Sequence, residues 1–201
     1  MNPSRVGGVL PPRLMADVVH VPGAQPWRQE AKKWPLAARC LRRLARETGM
    51  RILVVDAPRH AETIPGVTMT GPLPWRQLLA VVAEARCLFV PPVLDASPRV
   101  LAEALCLDVP VVVNREILGG WHYVNAFTGA FFDGEHDMVA AVQGLGGGRP
   151  RTWFLAHHGP ARAGARLLRL LRPLDASLPD VTHLLFAPDR EQPGRPWWAT
   201  R

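Results

Sequence analysis

Two carboxylates frame one short apolar stretch, LDASPRVLAEALCLDVPVVV, at residues 94–113. Asp95 stands just before a Ser-Pro pair, and Glu103 falls inside the helical pattern which that pair opens. Ser97 is suited to cap such a helix, because its hydroxyl can take up an orphan first-turn amide. Pro98 suits the first helical position, because its fixed φ is already helical. The amides at 98–100 would then point outward with a partial positive charge, an arrangement that holds phosphate. Arg99 either adds a guanidinium to that turn or faces solvent. Carboxylates on both sides of a phosphate-binding helix start suit a ligand with hydroxyls flanking a diphosphate, and a nucleotide-sugar is such a ligand. The plainer alternative is that Asp95 complements the helix dipole and Glu103 is a solvated helix residue.

The surrounding elements must place these groups at one end of a sheet. Residues 1–15 are interrupted by Pro and Gly and read as irregular. Strands are expected at 17–22, 51–55, 67–70, 87–91, 110–113 and 129–132. Between them lie helical patterns at about 31–48, 74–85, 98–107 and 135–143, with a further helix at about 158–172 and an edge strand at 182–187. In the first helix Leu36, Cys40, Leu41 and Leu44 share one face, and Arg39, Arg42, Arg43 and Arg46 share the other. Gly49 closes it. Strands alternating with helices at this spacing make β-α-β units, hence a parallel sheet covered on both faces. The expected architecture is α/β: one doubly wound, Rossmann-like domain over 16–188, with a loose tail at 189–201. Such sheets bind ligands beyond the carboxyl ends of their strands.

Composition narrows the class. An apolar fraction of 48% and 7 Trp in 201 residues argue against disorder. No apolar run reaches membrane-spanning length, and the opening MNPSRVGGVLPPRL lacks the apolar core of a secretory signal. Cys40, Cys87 and Cys106 lie in apolar patterns and read as reduced core thiols of a cytoplasmic protein. The net charge of +7 comes almost wholly from arginine, since only Lys32 and Lys33 are lysines. That usage fits a GC-rich codon bias, and it also fits an anionic partner such as nucleotide phosphate, acidic lipid or nucleic acid.

The run from Gly71 through Phe132 resembles the donor-binding half of GT-B-fold glycosyltransferases, in particular the retaining group of glycogen- and sucrose-synthase-like enzymes. The resemblance rests on an acid, seven residues, then Glu-Ala, a Pro-Val-Val strand, a Gly-Gly loop and a Thr-Gly before the next strand. Here these are Asp95, Glu103-Ala104, Pro110 to Val113, Gly119-Gly120 and Thr128-Gly129. The resemblance implies that Asp95 contacts sugar hydroxyls of the donor and Glu103 the ribose. Amides between them, with Ser97, Arg99, Gly119 and Gly120, would line the diphosphate crevice. That group also carries Arg, four residues, then Lys, after the first strand of this half. Arg28 and Lys33 match that spacing, with Lys32 a near-equal substitute. They would neutralise the leaving diphosphate without a metal or other cofactor. A solvated charge cluster is the alternative. Three departures stand out: Asp95 replaces the usual Glu, Tyr123 stands where an acid often follows Gly-Gly, and no acceptor-binding domain accompanies this half.

Other features carry less. GLGGG at 144–148 lacks a Lys-Ser/Thr ending and reads as a linker and helix stop. His157 and His158 have no acid or thiol at ligand spacing and read as surface or capping residues. Arg162, Arg166, Arg169 and Arg172 form a second basic stripe. It is either a solvated face or, with the 39–46 stripe, a means of resting on an anionic membrane. The leading expectation is therefore a cytoplasmic glycosyltransferase domain for hexosyl transfer from a nucleotide-diphosphate sugar, with an acceptor domain either supplied by a partner or missing, and either free of the membrane or peripheral to it. A non-catalytic sugar-nucleotide-binding or scaffold module is the second reading. A basic nucleic-acid-binding protein is the third and weakest, since no recognition motif supports it.

Overall fold

A computed structural model describes residues 15–23, 32–96 and 98–178. Arg28, Ser97, the edge strand expected at 182–187 and the tail lie outside these residues.

Six strands form a single parallel sheet: β1 (Val18–His20), β2 (Ile52–Val55), β3 (Val67–Thr70), β4 (Cys87–Val90), β5 (Val111–Asn114) and β6 (Gly129–Phe132). Their order is β3-β2-β1-β4-β5-β6. The helices are α1 (Trp34–Thr48), α2 (Trp75–Ala83), α3 (Arg99–Cys106), α4 (Met138–Gln143), α5 (Pro150–His158) and α6 (Pro160–Leu171). The β-branched runs ILVV and VVVN, with CLFV, are buried at every position, as strands covered on both faces must be. The edge strand β3 is only half-buried. Apolar residues at helical spacing press α1 onto this sheet through Ala37, Cys40, Leu41 and Leu44, and Gly49 ends the helix in the left-handed region. Phe89, Val112, Phe132 and Met138 join the same core cluster.

The order of strands reverses between β1 and β4. The chain winds outward through β2 and β3, returns to β4 beside β1, and winds the other way through β5 and β6. Such a reversal leaves a crevice at the carboxyl ends of β1 and β4, since the helix after β1 packs with α4 and the helix after β4 with α2.

The chain divides into two compact units, Met1–Arg151 and Thr152–Arg201, and the whole sheet belongs to the first. Helix α5 was not expected from the sequence. Its start has a physical signal, Pro150 just past a glycine run, which suits a first helical turn.

Three expectations need correction. Pro98 occupies the cap position of α3 with an extended ψ of 94°, so the helix proper starts at Arg99, and no described side chain caps it. Cys106 is exposed, because it ends α3 beside the buried row Leu101, Ala104 and Leu105. Cys40 and Cys87 are buried, and burial pushes both thiols up to about 12. The arginine face of α1 is not a bare cationic stripe. Arg39 Nε donates to Glu135 at 2.9 Å and Arg43 Nε to Glu47 at 2.8 Å, while Arg42 lies 3.9 Å from Glu62.

Candidate functional site

β1 ends at His20 and its crossover re-enters the described residues at Lys32, immediately before α1. β4 ends at Val90 and its loop runs through Asp95 to Pro98. Lys32 Nζ donates to Asp95 Oδ2, so an ion pair ties these two loops together across the point where the strand order reverses. Both side chains are about four-fifths withdrawn from solvent, where a pair is screened less than at an open surface.

The next residue, Lys33, takes φ 52° and ψ 48° at the start of α1. Left-handed backbone is costly for a residue with a Cβ, and it turns the chain sharply into the helix. Lys33 also lines an open cleft of about 650 Å³ with Trp34, Arg39, Leu94, Asn114, Glu116 and Asp133 among its neighbours. The polar wall is set by the ends of β5 and β6. Buried Asn114 accepts the Glu116 amide at 2.9 Å, and Arg115 Nε donates to Asp133 at 2.8 Å.

The Gly-Gly loop is laced onto the loop after β4. Leu118 N donates to the Val93 carbonyl and Gly119 N to the Asp95 carbonyl, each at 3.0 Å. A Cβ on Gly119 would stand 1.8 Å from the Ala96 carbonyl oxygen, so only glycine allows this approach. Gly120 has φ 80° and abuts Pro98. The two glycines thus hold the backbone around Asp95. Thr128 does similar work for the far end of this connection: its buried hydroxyl donates to the Tyr123 carbonyl at 2.6 Å and accepts the Asn125 amide at 2.9 Å.

Of the residues expected at one crevice, the structure brings Lys33, Asp95, Gly119 and Gly120 to the carboxyl ends of β1, β4 and β5. Lys33 alone of them lines the cleft itself. Arg99 is exposed at the first turn of α3. Glu103 is engaged toward α2, where its carboxylate accepts the Trp75 indole N–H at 3.1 Å. Arg28 and Ser97 lie outside the described residues. The partnership of Lys32 with Asp95 was not read from the sequence, where Lys32 stood only as a near-equal substitute for Lys33 on the diphosphate.

One further group at this end escaped the sequence reading. His20, at the last position of β1, is 1% exposed and its Nδ1 lies 3.0 Å from the Phe89 carbonyl. Against a carbonyl that nitrogen must carry the proton, which leaves Nε2 a lone-pair acceptor. Nε2 has no hydrogen-bond partner among the described residues. Burial pushes the imidazole down to about 4; the bond to Phe89 opposes this and the nearby charge of Lys32 reinforces it. Trp34, itself on the cleft wall, lies parallel to the ring at 6.3 Å.

No family model matches the sequence, and no curated protein matches it closely. Solved structures do match in fold. A glycosyltransferase of avilamycin A biosynthesis, AviGT4, superposes with TM-score 0.57 at 17% identity, over 82% of this chain and 53% of its own. Sucrose-phosphate synthase from Thermosynechococcus elongatus gives TM-score 0.58 at 16% identity, over 82% of this chain and 47% of its own. The UDP-GlcNAc 2-epimerase of Methanocaldococcus jannaschii, solved with UDP-GlcNAc and UDP, gives 0.54 at 15% identity, over 79% of this chain and 46% of its own. The fold is that of a GT-B glycosyltransferase domain: one six-stranded parallel sheet with flanking helices, α/β and Rossmann-like. The chain spans about half the length of these structures.

Proposed function

We propose that this domain binds a nucleotide-diphosphate sugar at the crevice beyond β1 and β4 and presents it for hexosyl transfer to an acceptor. The single observation that carries the reading is the Lys32–Asp95 bridge across the reversal point, with Lys33 facing the adjoining cleft. A cation pair at that position meets the diphosphate, and Arg28, in the same connection, would add a guanidinium fork. Breaking the bond between the anomeric carbon and the phosphate oxygen adds a further negative charge to the already anionic diphosphate, and fixed cations stabilise it as it develops. Asp95 would accept sugar hydroxyls, with Lys32 holding it in place. Glu103 would accept the ribose hydroxyls, with Trp75 fixing its carboxylate. Ser97 and Arg99 would cradle the phosphates, and Gly119 and Gly120 hold the backbone around Asp95 in shape.

The chain spans about half the length of the matched structures, and an acceptor side would come from another polypeptide or another part of a longer protein. The test is calorimetry of the chain against UDP-, GDP-, ADP- and CDP-sugars. One nucleotide class should bind, and Glu103→Ala should weaken it by about 1–3 kcal/mol, the cost of leaving hydroxyls without a charged acceptor. If no nucleotide binds while DNA binds in a salt-sensitive way, the basic-surface reading replaces this one.

A second reading, a sugar-nucleotide-binding module without transfer, is favoured by the fold's occurrence in an epimerase as well as in transferases. Binding without hydrolysis or transfer, in the presence of every candidate acceptor partner, would select it.

A further inference from the structure

Helix α6 presents two unlike stripes to solvent. Leu167 and Leu170 follow one another at helical spacing along one stripe, Leu174 lies in the turn three residues past the helix end, and the three are 41%, 69% and 83% exposed. Arg162, Arg166 and Arg169 run beside them at spacings of four and three, all exposed, with Arg172 following. The inward side is carried by Gly164 and Leu168, which are buried. From Pro160 to Leu174 there are four arginines and no acidic residue. Among the described residues no ion pair engages any of these four arginines. This separates α6 from α1, whose arginines are matched with Glu47, Glu62 and Glu135.

We propose that α6 docks on the surface of an anionic lipid bilayer, with Leu170 deepest, Leu167 and Leu174 beside it, and Arg162, Arg166 and Arg169 at the headgroup level. A solvated cationic face needs no exposed leucine stripe, and an apolar seam for a protein needs no unmatched arginine row on its flank. The two together, side by side on one helix, are what an interfacial helix requires: apolar side chains for the acyl boundary and guanidinium groups for phosphate headgroups. No described helix is long and apolar enough to cross a membrane, so the contact is with the surface. Such a contact would serve the chain whatever its cleft binds.

The test is co-sedimentation of the full chain with vesicles of phosphatidylcholine alone and of phosphatidylcholine with about one-third phosphatidylglycerol. Binding is expected on the anionic vesicles only and should fall as salt is raised. Leu170→Glu and, separately, the double variant Arg166→Ser with Arg169→Ser should each reduce it roughly tenfold or more. Both alter exposed side chains, and unchanged circular dichroism confirms the fold. Three results overturn the proposal. One is no sedimentation at all, including the case where the leucine stripe instead mediates a concentration-dependent dimer. Another is binding that Leu170→Glu leaves intact, which would mark charge alone and be mirrored on heparin. The last is equal binding to neutral vesicles.

Discussion

Lys33 holds left-handed backbone where a glycine would be free of cost, and it does so at the mouth of the cleft. Strained positions persist where the surroundings over-determine them, and they gather at sites that need a side chain in one place. Replacing Lys33 by glycine separates the two demands. The strain disappears while the unfolded chain gains freedom, so stability should stay level or rise by up to about 1 kcal/mol. Binding of a nucleoside diphosphate should weaken markedly, and binding of the free nucleoside should not, because the lost charge acts on phosphate. Thermal melting and calorimetry on the same variant read both. Undiminished diphosphate affinity would remove Lys33 from the site. The ion pair beside it makes a contrasting case. Lys32→Ala removes an ion-pair partner of a largely withdrawn Asp95, so it should lower stability by about 1–3 kcal/mol even without ligand.

At the scale of elements, the six strands were legible because their β-branched and apolar runs are short, punctuated and separated by helical patterns. The observed strands fall within one or two residues of those expected, and the reversal between β1 and β4 follows from β-α-β winding. What the sequence could not give was which loop residues touch. Gly119 and Gly120 read as phosphate-lining residues, yet their visible duty is to let the loop after β5 close on Ala96 and Pro98. Glu103 read as facing the crevice, and its neighbour proved to be Trp75, twenty-eight positions earlier in α2. Both are contacts between segments brought together only by the sheet. Gly119→Ala tests the first directly. An added methyl 1.8 Å from a carbonyl oxygen cannot be absorbed without moving the Asp95 loop. Stability should fall by about 1–3 kcal/mol, the usual cost of overpacking. Donor binding should fall with it, read by denaturant unfolding and calorimetry. A variant of unchanged stability would show that the loop after β4 moves freely.

At the scale of the whole molecule, one buried ring among the described residues contributes to the response to mild acid. His20 titrates ordinarily near 6.5 and, withdrawn from water at the end of β1, only at about 4. Between those values the unfolded chain takes up a proton that the folded chain refuses, so the unfolded state binds more protons and stability rises with pH. The contribution is complete above about 6.5 and is lost progressively as pH falls toward 4. A difference of that size corresponds to roughly 3 kcal/mol, a large part of a small domain's margin. Asp17, Asp137 and Asp175 act in a different window. Their carboxyls are held below the ordinary 3.8, Asp17 by its bonds with Arg51, Asp137 by the amides of Gly134 and Asp133 against its own burial, and Asp175 by Ser177, so their contribution fades only in stronger acid. Unfolding by denaturant at a series of pH values between 7 and 4 should therefore show a steep loss, and His20→Asn should flatten it. Asparagine can still donate to the Phe89 carbonyl, so the variant removes the titration while keeping the bond. It will be less stable at neutral pH, because the smaller side chain leaves space beneath Trp34. The slope between pH 6.5 and 4, rather than the absolute stability, is the decisive reading. An unchanged slope in the variant would place the acid sensitivity elsewhere in the chain.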